Sequence, residues 1–500
     1  ADSTGIASGY IDPVARIAAQ DEAVYTHTSI RMATQGGWLT PKFMGRFAFY
    51  KPPLLYWLSA SAGRLFGISP LTLRIPSVVS GAAVAALVFW WAVRMEGLVA
   101  GIGAFLLLGS TYLWYTLGSL NLTDMLLTCC ITAAALCLFV DSQLRTPRVF
   151  LGLAFAIAGA LLTKGIAGTV PLMICAGVWF SASERPRMMR IAQVVGLAAA
   201  LALPWYVYQL MAHPRWFWAE FVLLENLSFG LGSPPQTTSE GQLEFYLRRL
   251  ALLDLPLLCA AIAALPLWWK RKGHDRVVLI AWMTAMGLAI LGFRYRNASY
   301  LLPLIPALCL WAAPVLKWRP VSFVLIPAIL VWRGVPFKQG TTLSSAPPLR
   351  EYCQQSRSKE LLIVAPDDEF YASVLPLSRV RYVYLETKQP SYNRVLDFRH
   401  LGITVSAGEF HEMTKWAPLF TKRLHDWGYN TAEPLATVIL ASNGEQVAAL
   451  IRSHPESDFY VPSELVPASN HEQRRLANDR TLLLSRQTVE KQATKWTCGM

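Results

Sequence analysis

Between residues 77 and 333 apolar runs recur, each long enough, or nearly long enough, to span a bilayer, the shorter ones needing tilt or flanking residues to cross. They are Ser77–Val93, Leu98–Leu117, Met125–Val140, Val149–Thr163, Ile166–Ser183, Ile191–Met211, Leu255–Trp269, Val277–Phe293, Ala298–Leu316 and Pro320–Trp332. No other feature narrows the fold so far, because a segment in lipid must satisfy its own backbone, which leaves helices or a closed barrel. The stretch 149–183 is interrupted only by Lys164-Gly165. As a single helix its 35 residues would reach about 50 Å against a hydrocarbon core of about 30 Å, so it predicts two helices with Lys164 at the turn. Composition agrees: 54% of the 500 residues are hydrophobic and 15% charged, where a soluble globular domain carries about 25% charged.

The net charge of +13 does not indicate nucleic acid. Its lysines and arginines sit in short connections between apolar runs, with no basic, aromatic-interleaved pattern of the kind that binds single strands. Alternate connections are basic: Arg94; Arg145 and Arg148; Arg185, Arg187 and Arg190; Lys270, Arg271, Lys272 and Arg276; Lys317 and Arg319. By the positive-inside rule these are cytoplasmic, and residues 1–76, the loop 212–249 and everything after 333 lie outside. Because the chain starts at Ala1, a first transmembrane helix is expected to precede it.

The expected fold is an α-helical polytopic membrane protein of about 10–11 spans plus interfacial helices, with a C-terminal extracytoplasmic α/β domain. Residues 1–76 form an interfacial region, 77–333 the membrane core and 334–500 the soluble domain. In the first region "DEAVYTHTSIRMATQGGW" carries a helical pattern that stops at Gly36-Gly37, and "PLLYWLSASAGRLFG" reads as a second short helix with Pro52 and Pro53 at its first positions. In the last, "ELLIVAPDDEFYASVL", "VRYVYLE", "ATVILASNGEQVAALIRSH" and "RTLLLS" alternate strand and helix signals without a phosphate-loop or dinucleotide glycine fingerprint. Six of the eight cysteines lie in apolar runs as small hydrophobes. Cys353 and Cys498 lie in polar sequence, where an extracytoplasmic setting would let them pair. No CxxC occurs, so no thiolate zinc site is expected.

The ionisable residues at the outer ends of the spans are the candidates for chemistry, since each is costly to bury. Lys51 stands in "RFAFYKPPLLYW" just where the sequence turns most apolar; Lys164, Arg294 and Arg296 face the same side. Asp21 and Glu22 open the first interfacial helix, and Asp124 begins a span in "SLNLTDMLLTCC". Taken singly, the carboxylates read as helix caps and the cations as snorkelling side chains. Taken together, cations beside a carboxylate at a membrane surface suit a transfer reaction, in which the cations hold an anionic leaving group while a base takes a proton from a nucleophile.

The stretch "QDEAVYTHTSIRMATQGGWLTPKFMGRFAFYKPPLLYWLSASAGRLFG" resembles the signature region of polyprenyl-phosphate-dependent glycosyltransferases of the GT-C class, which includes aminoarabinose transferases and protein O-mannosyltransferases. "LTDMLLT", "LLTKGIAGTVP", "FWAEFVLLENLSFG" and "RYRNASYLLPLIPAL" extend the resemblance over roughly residues 20–316. It implies that a sugar passes from an undecaprenyl-phosphate-type donor to a hydroxyl or phosphate on lipid A, a glycan or a protein. This would occur with inversion, at the outer face of a bacterial cytoplasmic membrane. Asp21 corresponds to the general base and Asp124 to a second acidic residue of the cavity. Lys51 corresponds to the lysine near the donor phosphate, with Lys164, Arg294 and Arg296 as further phosphate ligands. Glu22, Tyr50, Glu225 and Tyr300 would position substrates. Three positions depart from the aminoarabinose transferases: Tyr50 replaces a glutamate, Glu225-Asn226 a Glu-His pair, and Val24 an arginine. The first two belong to a metal site of that subfamily, so the resemblance does not carry a zinc site over intact. No metal ligand or cofactor is assigned, and a divalent cation is left open. A transporter or flippase of lipid-linked sugars is the alternative, though it predicts ionisable groups at mid-membrane and broken helices in paired halves. An O-antigen type ligase would carry several arginines in its outer loop; here Arg215, Arg248 and Arg249 stand only at the loop's edges.

Overall fold

The structure is a computed structural model that describes residues 20–43, 46–182, 186–228, 241–269, 271, 273–293, 296–327, 361–364, 380–385, 438–441, 444–475 and 480–485. The chain divides into two compact units: Phe49–Leu58 with Arg74–Gln339, and Ala1–Ala48 with Ser59–Leu73 and Gly340–Met500.

In the second of these units the N-terminal helix α1 spans Gln20–Gln35 and ends where expected, as Gly36 and Gly37 take φ values of 81° and 77°. A two-stranded ribbon, β1 (Lys42–Phe43) and β2 (Arg46–Phe47), follows. Helix α2 (Leu54–Phe66), whose first five residues are assigned to the other unit, begins with Trp57 N–H donating to the Pro53 carbonyl, so Pro53 stands before the helix rather than inside its first turn.

The membrane unit is built from α3 (Pro70–Glu96), a bent pair α4 (Leu98–Gly109) and α5 (Tyr112–Gly118), α6 (Thr123–Val140), α7 (Pro147–Lys164), α8 (Val170–Ser181) and α9 (Met188–Ala212). A short α10 (Pro214–Phe217) leads into a π-helix over Trp218–Ser228; α11 (Gln242–Trp269), α12 (His274–Gly292), a 3-10 segment Ala298–Leu304 and α13 (Ile305–Leu316) follow. Among the described residues seven segments are long and apolar enough to cross a bilayer, eight if the pair bent by 66° is one span. That is fewer than the 10–11 expected. The Val149–Ser183 stretch counts as one segment by length, and the run from Pro320 is described only through Pro327. The stretch is nevertheless broken at Lys164 as expected. A 3-10 turn, Gly165–Thr169, joins α7 to α8 and folds back so tightly that a Cβ on Gly168 would lie 2.3 Å from the Ala160 carbonyl oxygen.

Small residues set the spacing between helices, as they do where lipid offers no hydrophobic drive for association. A Cβ at Gly152 would lie 3.1 Å from Cys137 Sγ, and one at Gly159 would lie 3.0 Å from Cys130 Sγ. Cysteines and glycines thus interlock along the antiparallel seam of α6 and α7, two turns apart on each helix, and both cysteines act as small hydrophobes. Where helices break, polar groups meet. Asp254 interrupts α11 with non-helical angles, and its Oδ1 accepts the Tyr112 N–H at 2.6 Å, a donor freed at the α4–α5 break. Trp91 stacks between Phe139 and Trp282, and Trp268 stacks on Trp311 while its Nε1 donates to the Trp311 carbonyl at 2.6 Å. At the end of the bundle where α3, α11 and α13 terminate and α12 begins, Arg271 pairs with Glu96 and with Asp275 (2.8 Å), and Lys317 reaches Glu96 at 3.5 Å.

The C-terminal part forms a six-stranded sheet from β3 (Leu361–Val364), β4 (Val380–Leu385), β5 (Val438–Ala441), β6 (Asp458–Pro462), β7 (Glu472–Arg475) and β8 (Arg480–Leu484). Their order is β5-β4-β3-β6-β8-β7, parallel through the first four and antiparallel at β8 and β7. Helix α14 (Gly444–Ser453) lays Val447 and Ile451, one turn apart, on Leu362, Val364, Phe459, Val461 and Leu483. The four strand or helix signals read from sequence lie here, joined by β6 and β7. Cys353 and Cys498 fall outside the described residues.

Candidate functional site

The seam of α6 and α7 fixes the first half of the site. A register that sets residue 130 against 159 and 137 against 152 also sets residue 124 against 165, so Asp124 in the first turn of α6 meets the end of α7. Lys164 Nζ lies 2.8 Å from Asp124 Oδ1, with side chains 15% and 12% exposed. Each charge sits at the helix end whose dipole favours it: a carboxylate at an N-terminus and an ammonium at a C-terminus. The ammonium also lies 5.1 Å from the centre of the Tyr300 ring, at cation–π distance. The turn that follows needs glycine, since Gly165 has φ 51° and a Cβ there would lie 2.9 Å from Phe221.

The second half hangs on the π-helix. Glu220, fully buried, accepts the Phe49 N–H at 3.1 Å through Oε2, and Glu225 Oε2 lies 2.5 Å from Lys51 Nζ. The two carboxylates are five positions apart, a little over one turn of an i→i+5 helix, and both contact the 49–51 segment. The next residue reaches the other half: Asn226 Oδ1 accepts the Ile166 N–H at 3.2 Å while its Nδ2 donates to the Phe221 carbonyl at 2.6 Å. Rings hold the element in place. Phe217 stacks on Phe221 at 4.9 Å and meets Phe49 edge-on at 5.2 Å, and Trp205 of α9 packs edge-on against both Phe217 and Phe221. A single segment, Trp218–Ser228, therefore grips both lysine-bearing turns.

Of the residues expected from sequence, the structure brings Asp124, Lys164 and Tyr300 together, and Lys51 with Glu225. Tyr50 is half-buried beside Lys51. Arg296, largely buried, lies over the Phe245 ring of α11 at 5.5 Å. Arg294 lies outside the described residues. Asp21 and Glu22 occupy the first turn of α1 in the other unit, Asp21 exposed and Glu22 buried. Glu220 and Asn226 were not anticipated as structural ties. Their signal was the placing of two carboxylates five apart in an apolar, aromatic segment, "FWAEFVLLEN". Among the described residues no group of three His, Cys, Asp or Glu side chains could hold a metal ion, and Glu225 is engaged with Lys51. These residues do not fit a resident zinc.

Residues 50–211 match the family model described as dolichyl-phosphate-mannose-protein mannosyltransferase. The chain is 26% identical over 306 residues to undecaprenyl phosphate-alpha-4-amino-4-deoxy-L-arabinose arabinosyl transferase 2 of Proteus mirabilis, covering 59% of this chain and 54% of that one. It is 27% identical over 307 residues to the arabinosyl transferase of Aeromonas salmonicida, covering 59% and 55%. The chain thus spans about half the length of the curated relatives it matches. Among solved structures, ArnT from Cupriavidus metallidurans bound to undecaprenyl phosphate superposes with a TM-score of 0.70 at 15% identity, over 96% of each chain. The chain is thus similar in sequence, over part of its length, to aminoarabinose transferases and to the mannosyltransferase family model, and over nearly all of its length it has the fold of ArnT.

Proposed function

We propose that this protein is a membrane glycosyltransferase that moves a sugar from a polyprenyl-phosphate donor to an acceptor on the outer side of a bacterial cytoplasmic membrane. One observation carries the reading. Lys51 and Lys164, each largely buried, are presented by two turns that one outer-loop segment ties together. The relatives' names and the bound undecaprenyl phosphate of the structural neighbour support a lipid-phosphate donor of this kind.

In the proposed reaction Asp21 takes the proton of an acceptor hydroxyl and the acceptor oxygen forms a bond to the anomeric carbon. The bond from that carbon to the phosphate oxygen breaks with its electron pair. The donor is a phosphodiester with one negative charge, and the polyprenyl phosphate that leaves is a monoester with one more. Lys51 and Lys164 stabilise that gain, with Arg294 and Arg296 as further cations. Asp124 orients Lys164 and the sugar; Glu22, Tyr50, Glu225 and Tyr300 line the substrates. A single displacement assisted by one base inverts the anomeric centre. The acceptor is a hydroxyl or phosphate of lipid A, a glycan or a protein.

The test is release of free polyprenyl phosphate by protein reconstituted in lipid, offered a set of polyprenyl-phosphate sugars. Lys51→Ala and Asp21→Asn should each slow release by about 100-fold or more, the usual loss when one group that stabilises developing charge is removed. Undiminished release from either variant refutes that residue's role. No release with any donor, alongside measured movement of the lipid between leaflets, makes the protein a flippase.

A further inference from the structure

The cation that the proposed reaction assigns to the donor phosphate already holds a carboxylate. Lys51 Nζ and Glu225 Oε2 lie 2.5 Å apart, and their side chains are only 21% and 13% exposed. Lys164 and Asp124 form a second such pair, so the charges of these four groups cancel. An arriving phosphodiester would bring a negative charge to a lysine already neutralised and set it beside Glu225. Two anions sharing one poorly hydrated cation repel strongly. One of them must leave.

The two carboxylates are mounted differently. Asp124 sits on the regular helix α6, whose register is locked by the cysteine–glycine seam. Glu225 sits on the π-helix Trp218–Ser228, a register that is rare and found most often at functional sites. In the π register Glu220 and Glu225 stand about 50° apart and both reach the 49–51 segment. In an α register the same five residues would stand about 140° apart, which takes Glu225 off Lys51 while Glu220 keeps the Phe49 N–H.

We propose that Glu225 is an exchangeable counter-ion. It occupies the phosphate's place on Lys51 in the resting protein and yields it to the donor as Trp218–Ser228 slips from π toward α register. It then returns after transfer to expel the polyprenyl phosphate. The proposal rests on the reading of Lys51 as the phosphate-binding lysine.

Two measurements test it on the full chain in phosphatidylethanolamine nanodiscs, with undecaprenyl phosphate as the probe. In binding, Glu225→Gln should hold undecaprenyl phosphate about 10-fold more tightly than the native protein, equal to about 1.4 kcal/mol. In turnover it should lower both KM and kcat, because release of the lipid phosphate becomes slow. Native binding that Lys51→Ala abolishes but Glu225→Gln does not tighten would overturn the exchange and leave the phosphate-binding reading standing. No binding by the native protein would overturn both. The second measurement needs no variant. A carbodiimide joins a lysine and a glutamate only while they touch, so saturating undecaprenyl phosphate should suppress the Lys51–Glu225 crosslink. A crosslink yield unchanged by the lipid, or suppressed equally by phosphatidylglycerol at the same charge density, would overturn the proposal.

Discussion

Replacing Gly165 with alanine should loosen the turn that presents Lys164, by an amount the structure allows to be estimated. Gly165 has φ 51°, where a side chain strains the backbone by about 2 kcal/mol. The new Cβ would lie 2.9 Å from a Phe221 ring carbon and 3.1 Å from Asn226 Oδ1. The ring is held by its stack on Phe217, so the amide yields first and its bond to the Ile166 N–H weakens, which adds about 1 kcal/mol. The total of about 3 kcal/mol corresponds to a fall of about 6 °C in apparent melting temperature for a unit of this size. Melting in nanodiscs measures it, and carbodiimide crosslinking of Lys164 to Asp124 reports whether that pair survives. Gly36→Ala is the control: φ is 81°, but an added Cβ meets nothing within 4 Å, so only the backbone cost of about 1–2 kcal/mol applies. If Gly165→Ala melts within about 1 °C of the native protein, a loss below about 0.5 kcal/mol, the turn is not held as described.

The Lys164–Asp124 pair should behave as a coupled unit. Asp124→Ala leaves a mostly buried ammonium uncompensated and should cost about 3 kcal/mol, while adding Lys164→Met should recover more than half of it in the same melt. Strictly additive losses would show that the two charges do not stabilise one another. In the C-terminal sheet, Phe459→Ala empties a fully buried ring position and should cost about 3–5 kcal/mol, read as early proteolysis of that region while the membrane helices stay protected. Unchanged protease resistance would refute the assignment of Phe459 to the sheet's core.

The helices were legible because bilayer thickness limits what an apolar run can do: 35 such residues cannot remain one helix, and the break at Lys164 follows from length alone. The Asp124–Lys164 contact was legible in principle too. Cys130 and Cys137 repeat at the same seven-residue spacing as Gly159 and Gly152, and interlocking those repeats antiparallel brings 124 to 165. The π-helix was not legible, since an i→i+5 register leaves no periodic signature in so uniformly apolar a segment, and the role of Glu220 is hidden with it. Strand β7 was hidden for the opposite reason. "EQRR" is an edge strand, polar along its whole length, and shows no alternation of buried and exposed positions. Only its compartment groups Arg296 with the phosphate ligands, and sequence position carries no hint of the Phe245 ring beneath it.

The cluster of Glu96, Arg271, Asp275 and Lys317 has a mechanical consequence. It links the ends of α3, α11, α12 and α13 at the far side of the bundle from Lys164, and its central arginine also packs over the Trp268 ring at 4.9 Å. Rods tied together at one end by a network of ion pairs bend mainly at the other. Strain introduced at the lysine end is therefore expected to spread sideways among neighbouring turns rather than down the tied helices.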